Sequence, residues 1–249
     1  SAAHDLDTVA RTAGIETGAE NKPETFEEEL KRYEGFLAEY QNEDYASQFH
    51  DFIAKVKDSC AASFVDREQQ FAASVARSLF KLMAYKDEYE VARLFSHPDF
   101  KKNLDAQFEG RYRLNFHLAP PMLAKQDKIT GHLIKRVFPG MTLRLFSVLA
   151  KLKGLRGTRW DLFGYSEERK QERGLIAEYR HRIEQILDDI SAENFDSALQ
   201  IAQLPQKIRG YGHVKQRSIE QYKEKQAVLM DQYYGRQEKV VRIATRHVA

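Results

Sequence analysis

His117 and His213 are the side chains whose settings most invite chemistry. His117 lies in "RYRLNFHLAPPML" (111–123), on the polar side of an alternating stretch and just before Ala119-Pro120-Pro121. His213 lies in "IRGYGHVK" (208–215), in a glycine-marked turn between Arg209 and Lys215. Histidine titrates closer to neutral pH than any other unperturbed side chain, so either ring could pass a proton or contact a ligand. A histidine that only makes a surface or core hydrogen bond is the commoner case. We therefore take His117, Pro120, Pro121, Arg209, His213 and Lys215 as candidate contacts to a substrate or to another domain, and assign no catalytic residue. The two prolines have a structural reading of their own: lacking N–H groups, they end a strand and block edge pairing.

Other motifs that carry chemistry are missing. No G-x-x-x-x-G-K-[ST] or G-x-G-x-x-G stretch offers a phosphate cradle, and no G-x-S-x-G elbow or His-Glu-x-x-His pair occurs. "GLRGTRW" (154–160) has glycines without the required spacing. His181 and Glu184 stand three apart, the reverse of the Glu-x-x-His order used in di-iron bundles, with no second copy; no metal site is assigned. Cys60 is the single cysteine, which rules out an internal disulfide, an iron–sulfur cluster and a Cys-rich zinc site. It reads as an idle, buried thiol in a reducing, cytoplasmic compartment.

The elements that must position these residues are mainly helical. Of the 249 residues, 42% are hydrophobic and 31% charged, enough for a core under a very polar surface. No apolar run is long enough to span a membrane, and no signal peptide is visible. The chain opens on Ser1, which we read as the cut edge of a longer polypeptide. Residues 1–24 are expected to be a linker or tail, 25–235 a single helical domain, and 236–249 a C-terminal tail.

Thr25 before "FEEEL" marks a first helix, with a stutter or break expected near Asn42. A long helix is predicted from about Asp66 to Phe95. Ser96, Pro98 and Asp99 then signal a short helix ending at Gly110. Tyr112, Leu114, Phe116 and Leu118 alternate with polar residues, the period of a strand. With the extended pieces around "QDKITG" they predict an antiparallel hairpin or three-stranded meander inserted at about 111–138. Helices resume over 141–153 with Leu145, Val148, Leu149 and Leu152 on one face. Further helices start at Ser166 (stripe Ile176, Tyr179, Ile183, Ile186) and at Ser191. The last carries Val214, Ser218, Tyr222, Lys225 and Leu229. The fold class is mainly α.

The net charge of +2 conceals segregation. Residues 1–100 hold 11 Lys/Arg and 20 Asp/Glu, 101–160 hold 13 and 3, 161–204 hold 5 and 10, and 205–249 hold 10 and 4. Blocks of opposite sign are expected to dock on one another before any acidic partner is invoked. Nucleic acid is disfavoured: Tyr112 and Phe116 share a face with Leu114 and Leu118, so they are not a stacking platform, and no nucleic-acid motif is present.

Five stretches together resemble a known family. "YQNEDYA" (40–46), "SLFKLMAYKDEYEVARLF" (78–95), "FEGRYRLNFHLAPPMLAK" (108–125), "LAKLKGLRGTRWDLFGYSEER" (149–169) and "LPQKIRGYGHVK" (204–215) are similar, in this order, to the C-terminal region of the fused bacterial indolepyruvate:ferredoxin oxidoreductases. Pro139-Gly140-Met141 departs from the family's usual loop. The resemblance implies a non-catalytic accessory domain of an enzyme that oxidatively decarboxylates aryl 2-oxoacids to acyl-CoA. The parent's thiamine diphosphate, magnesium and iron–sulfur clusters would lie upstream of this region, with CoA as co-substrate, ferredoxin as electron acceptor and a homodimer as the assembly. No cofactor is expected in this chain itself. The upstream catalytic domains of the same polypeptide would be its partners. An independent helical interaction module, acting as an adaptor or ferredoxin dock, is the alternative.

Overall fold

The computed structural model describes residues 24–61, 67–108, 113–118, 136–140 and 142–235. Among them are nine α-helices and two short strands, so the protein is mainly α. Helices α1 (Phe26–Tyr40), α2 (Glu43–Ala61), α3 (Glu68–Met83), α4 (Glu88–Ser96) and α5 (Pro98–Gln107) precede strands β1 (Asn115–Leu118) and β2 (Arg136–Pro139). Helices α6 (Thr142–Lys151), α7 (Glu167–Asp189), α8 (Phe195–Gln203) and α9 (Gly212–Tyr233) follow, with 3₁₀ turns at Lys153–Leu155 and Leu204–Lys207. Among the described residues, no helix is long and apolar enough to cross a membrane.

Several boundaries follow from local chemistry. Thr25 caps α1 in a capping box: the Glu28 amide donates to Thr25 Oγ1 at 3.3 Å, and the Thr25 amide donates to Glu28 Oε2 at 2.8 Å. The chain breaks at Gln41-Asn42, where the Asn42 side chain accepts the Tyr45 amide at 2.9 Å and starts α2. The helix predicted over 66–95 is instead two. Asp87 interrupts it by accepting the Glu90 amide at 2.8 Å as N-cap of α4. The cap of α5 is His97, not Ser96; Ser96 ends α4 and its hydroxyl donates to the Ala92 carbonyl at 2.7 Å. Asn194, not Ser191, stands at the start of α8.

By their contacts the described residues fall into two compact units, one drawn from 24–50 and 83–176 and the other from 51–82 and 177–235. In the first unit α4 packs on α6. An aromatic cluster joins Phe95, Phe100, Phe116 and Phe146, with Phe95 and Phe116 rings 4.8 Å apart and Phe116 and Phe146 5.3 Å apart. Such ring pairs add to the burial of their area. The strands pair antiparallel, with Asn115 opposite Pro139, Phe116 opposite Phe138, His117 opposite Val137 and Leu118 opposite Arg136. Phe116 is buried while Asn115 and Arg113 are exposed, as the alternation predicts. The "QDKITG" turn and any third strand lie outside the described residues.

Helix α6 turns a different face inward from the expected stripe. Phe146 is buried and Leu143, Leu149 and Ala150 pack on the aromatic cluster, whereas Leu145 is 64% and Val148 58% exposed. The helix is apolar around most of its circumference. Its rotation is therefore decided by where the largest ring stacks, which periodicity cannot show.

The second unit has an apolar interior tied by tyrosines. Phe71 of α3 meets Phe195 of α8 with centroids 6.1 Å apart. Tyr179 of α7 donates to the Ala202 carbonyl at 2.8 Å, and Tyr233 of α9 donates to the Ile186 carbonyl at 3.0 Å. Both rings are buried, so each hydroxyl needs such a partner. Cys60 is fully buried here, and burial pushes its thiol up to about 11, so it is not a nucleophile at neutral pH.

Candidate functional site

Arg156 organises the first unit. It follows the 3₁₀ turn after α6 and is 3% exposed. Its guanidinium forks onto Asp87, Nε to Oδ2 at 2.5 Å and Nη2 to Oδ1 at 2.8 Å. Nη1 donates to the Tyr40 carbonyl, and the group lies 3.7 Å from the Tyr40 ring centroid. Lys153 Nζ donates to the Ala38 carbonyl at 3.2 Å and also to the Glu39 carbonyl. Two cations thus take the last carbonyls of α1, which lack intrahelical partners and form the negative end of that helix's dipole. Burial opposes the charge on Arg156, yet the bonds to Asp87 hold its pKa above the ordinary arginine range.

Asp161 fixes the loop that follows. Its carboxylate, 3% exposed, accepts the amides of Gly157 at 2.8 Å, Phe163 at 3.2 Å and Gly164 at 3.0 Å, and the Tyr89 hydroxyl at 3.3 Å. Burial and this carboxylate push the Tyr89 phenol up to about 12. Gly157 has φ +69°, and a Cβ on Gly164 would stand 2.2 Å from Asp161 Oδ2, so both positions require glycine. Arg169 closes the far side, with Nη1 on Glu172 at 2.5 Å and Nε on Glu88 at 3.4 Å. Burial raises the Glu88 carboxyl, partly offset by Arg169.

These groups are paired with one another by hydrogen bonds. Their effect is to hold a loop rigid while its outer side faces water. Trp160 is 64%, Leu162 67% and Tyr165 61% exposed. Arg159 lies over Trp160 at 5.0 Å, and Tyr165 donates to the Arg159 carbonyl at 2.7 Å, so the patch is itself ordered. Exposed aromatic side chains beside arginine are the usual makings of an interface.

Two further features stand apart. A groove of about 840 Å³ in the first unit is floored by Phe95, Phe100, Leu104, Leu114 and Leu143, with Lys101 and Arg113 in its lining. In the second unit, Lys81 Nζ donates to the Gln206 carbonyl at 2.5 Å, and the Arg209 backbone amide, just before α9, donates to Ser218 Oγ within that helix at 3.0 Å.

The DUF6537 family, described as a family of unknown function, matches residues 6–228. The chain belongs to this family. No curated protein and no solved structure matches the chain.

Within this DUF6537 chain the sequence-derived candidates separate. Arg209 and His213 are exposed and Lys215 half-buried, together around the start of α9. His117 lies in β1, in the first unit. Pro120 and Pro121 fall outside the described residues. Asp87, Arg156 and Asp161 were not anticipated. One signal for Asp87 was available: "DEYE" (87–90) carries the Asp-x-x-Glu pattern of a helix start.

Of the cofactors the resemblance assigns to the parent, a cluster does not fit the residues here, since Cys60 is a single, buried thiol. Among the described residues no group of three or more His, Cys, Asp or Glu could hold a metal ion.

Proposed function

We propose that this chain is a non-catalytic accessory domain of a thiamine-diphosphate-dependent aryl 2-oxoacid:ferredoxin oxidoreductase, and that it docks on the catalytic part through the loop around Trp160. One observation carries this reading. Three of the stretches that resemble the oxidoreductases meet in space at Arg156. "YQNEDYA" supplies Tyr40, "SLFKLMAYKDEYEVARLF" supplies Asp87 and Tyr89, and "LAKLKGLRGTRWDLFGYSEER" supplies Arg156 and Asp161. Their shared product is a pinned loop with an exposed Trp160-Leu162-Tyr165 face. A rigid loop loses little conformational freedom on docking, which favours binding.

The test uses the oxidoreductase with and without this region. Loss of assembly, of cofactor retention or of indolepyruvate-dependent ferredoxin reduction in the truncated enzyme supports the proposal. Unchanged assembly, cofactor content and turnover would sink it. An upstream reading frame with no catalytic domain would point to the independent interaction module instead.

A further inference from the structure

The groove in the first unit has a lining that the accessory-domain reading does not account for, and the argument for its use stands without that reading. Its volume of about 840 Å³ lies within the range of small-molecule sites. Three elements shape it. On α5, Phe100 and Leu104 are one turn apart and Lys101 stands three residues before Leu104, so all three share a side of the helix. Arg113 and Leu114 lead into β1, and Leu143 comes from α6. The apolar part is already packed without a ligand. The Phe100 ring meets the Phe95 ring edge-on with centroids 5.3 Å apart, and Leu104, Leu114 and Leu143 rest on the same aromatic cluster.

The polar lining is unevenly committed. Ser96 Oγ donates to the Ala92 carbonyl at 2.7 Å and Ser147 Oγ to the Leu143 carbonyl at 3.0 Å, so both hydroxyls turn back on their own helices. His97 Nδ1 accepts the Asp99 amide at 3.3 Å. Lys101 and Arg113 are different. Both are exposed, and among the described residues their side chains make no hydrogen bond or ion pair. No Asp or Glu is among the described residues that line the groove; Asp99, between Pro98 and Phe100, has its Oδ2 3.5 Å from His97 Nδ1. An apolar surface beside two uncommitted cations complements a molecule with a hydrocarbon body and an anionic head. The guanidinium presents parallel N–H donors that match a carboxylate, and the lysine ammonium adds further donors.

We propose that this groove binds a carboxylate with a hydrocarbon body, its head held by Lys101 and Arg113 and its chain lying on Phe100, Leu104, Leu114 and Leu143. The test is calorimetric titration of the whole chain with sodium decanoate at about 150 mM salt, where long-range attraction is screened. Saturable one-to-one binding is expected, with hexanoate weaker and acetate not bound, because each buried methylene adds to affinity. Lys101→Gln and Arg113→Gln should each weaken decanoate binding by about tenfold, the loss typical of a hydrogen bond to a charged group. Lys102→Gln, at an exposed lysine of α5 outside the lining, should leave it unchanged. Far-UV circular dichroism confirms that each variant folds. No saturable binding at millimolar decanoate would overturn the proposal. Equal binding of decanoate and decanol, or equal weakening by Lys102→Gln and Lys101→Gln, would overturn it as well, since neither outcome leaves a seated carboxylate. A dimer that decanoate does not dissociate, and that Lys101→Gln or Arg113→Gln breaks, would give the groove to a second copy of the chain instead.

Discussion

Arg156, in the first unit, is buried against Asp87, Tyr40 and Tyr89. Lys81 and Arg209, in the second, face water and each other's charge. The same chain thus treats cations in two ways. Where a guanidinium is removed from water, its donors are matched by a carboxylate and a carbonyl, because an unmatched buried charge costs several kcal/mol. Where cations remain at the surface, no such matching is enforced. The difference separates roles. The paired guanidinium carries structure, whereas the surface cations are not bound by that requirement.

The comparison can be broken most severely by alkali. Burial pushes the Tyr85, Tyr89 and Tyr222 phenols up to about 12 from an ordinary 10.0. A raised folded value means their contribution is intact below pH 10 and is lost as pH rises toward 12, because the unfolded chain ionises first. The urea midpoint should be flat below about pH 10 and fall steeply above it. Phenolate absorbance should lag behind that of free tyrosine until the chain unfolds.

Removing one partner of the buried pair is the next largest blow. Arg156→Met should lower stability by about 3–5 kcal/mol, because Asp87 is left charged and buried. Adding Asp87→Leu to that variant should recover part of the loss, although Asp87 also caps α4. Equilibrium urea unfolding of both variants checks this. A smaller loss is expected from Tyr179→Phe, which strips the Ala202 carbonyl of its partner at a cost of about 1–3 kcal/mol. The change Arg209→Gln, at an exposed position whose bond to Ser218 runs through the backbone amide, should move stability by no more than about 0.5 kcal/mol, as surface substitutions do. A loss as large as that of Arg156→Met would erase the contrast between the two regions.

Local chemistry made some of this fold legible. Thr25 with Glu28, the break beside Asn42, the start at Ser166 and the antiparallel strands are set by residues close in sequence. The division between α3 and α4 is different. Apolar residues run through Phe80, Met83, Tyr85, Tyr89 and Leu94, so periodicity carries one helix across the gap. Asp87 ends that continuity, and its principal partner, Arg156, lies 69 residues away. The inward face of α6 likewise depends on Phe95 and Phe116, which belong to other elements. As for the candidate residues, the basic, glycine-marked run 207–217 was readable as a cluster. That Lys81 reaches the Gln206 carbonyl beside it depends on the fold.

The docking loop remains the central claim, and one association measurement bears on it most directly. The chain, and a Trp160→Ser, Leu162→Ser, Tyr165→Ser variant, would each be mixed with the oxidoreductase lacking this region and run on a sizing column. Because all three side chains are exposed, the variant should unfold at the same urea concentration as the original within about 0.5 kcal/mol. The account predicts that the original chain co-elutes with the enzyme and the variant does not. Equal co-elution of the two, or of neither, would contradict it.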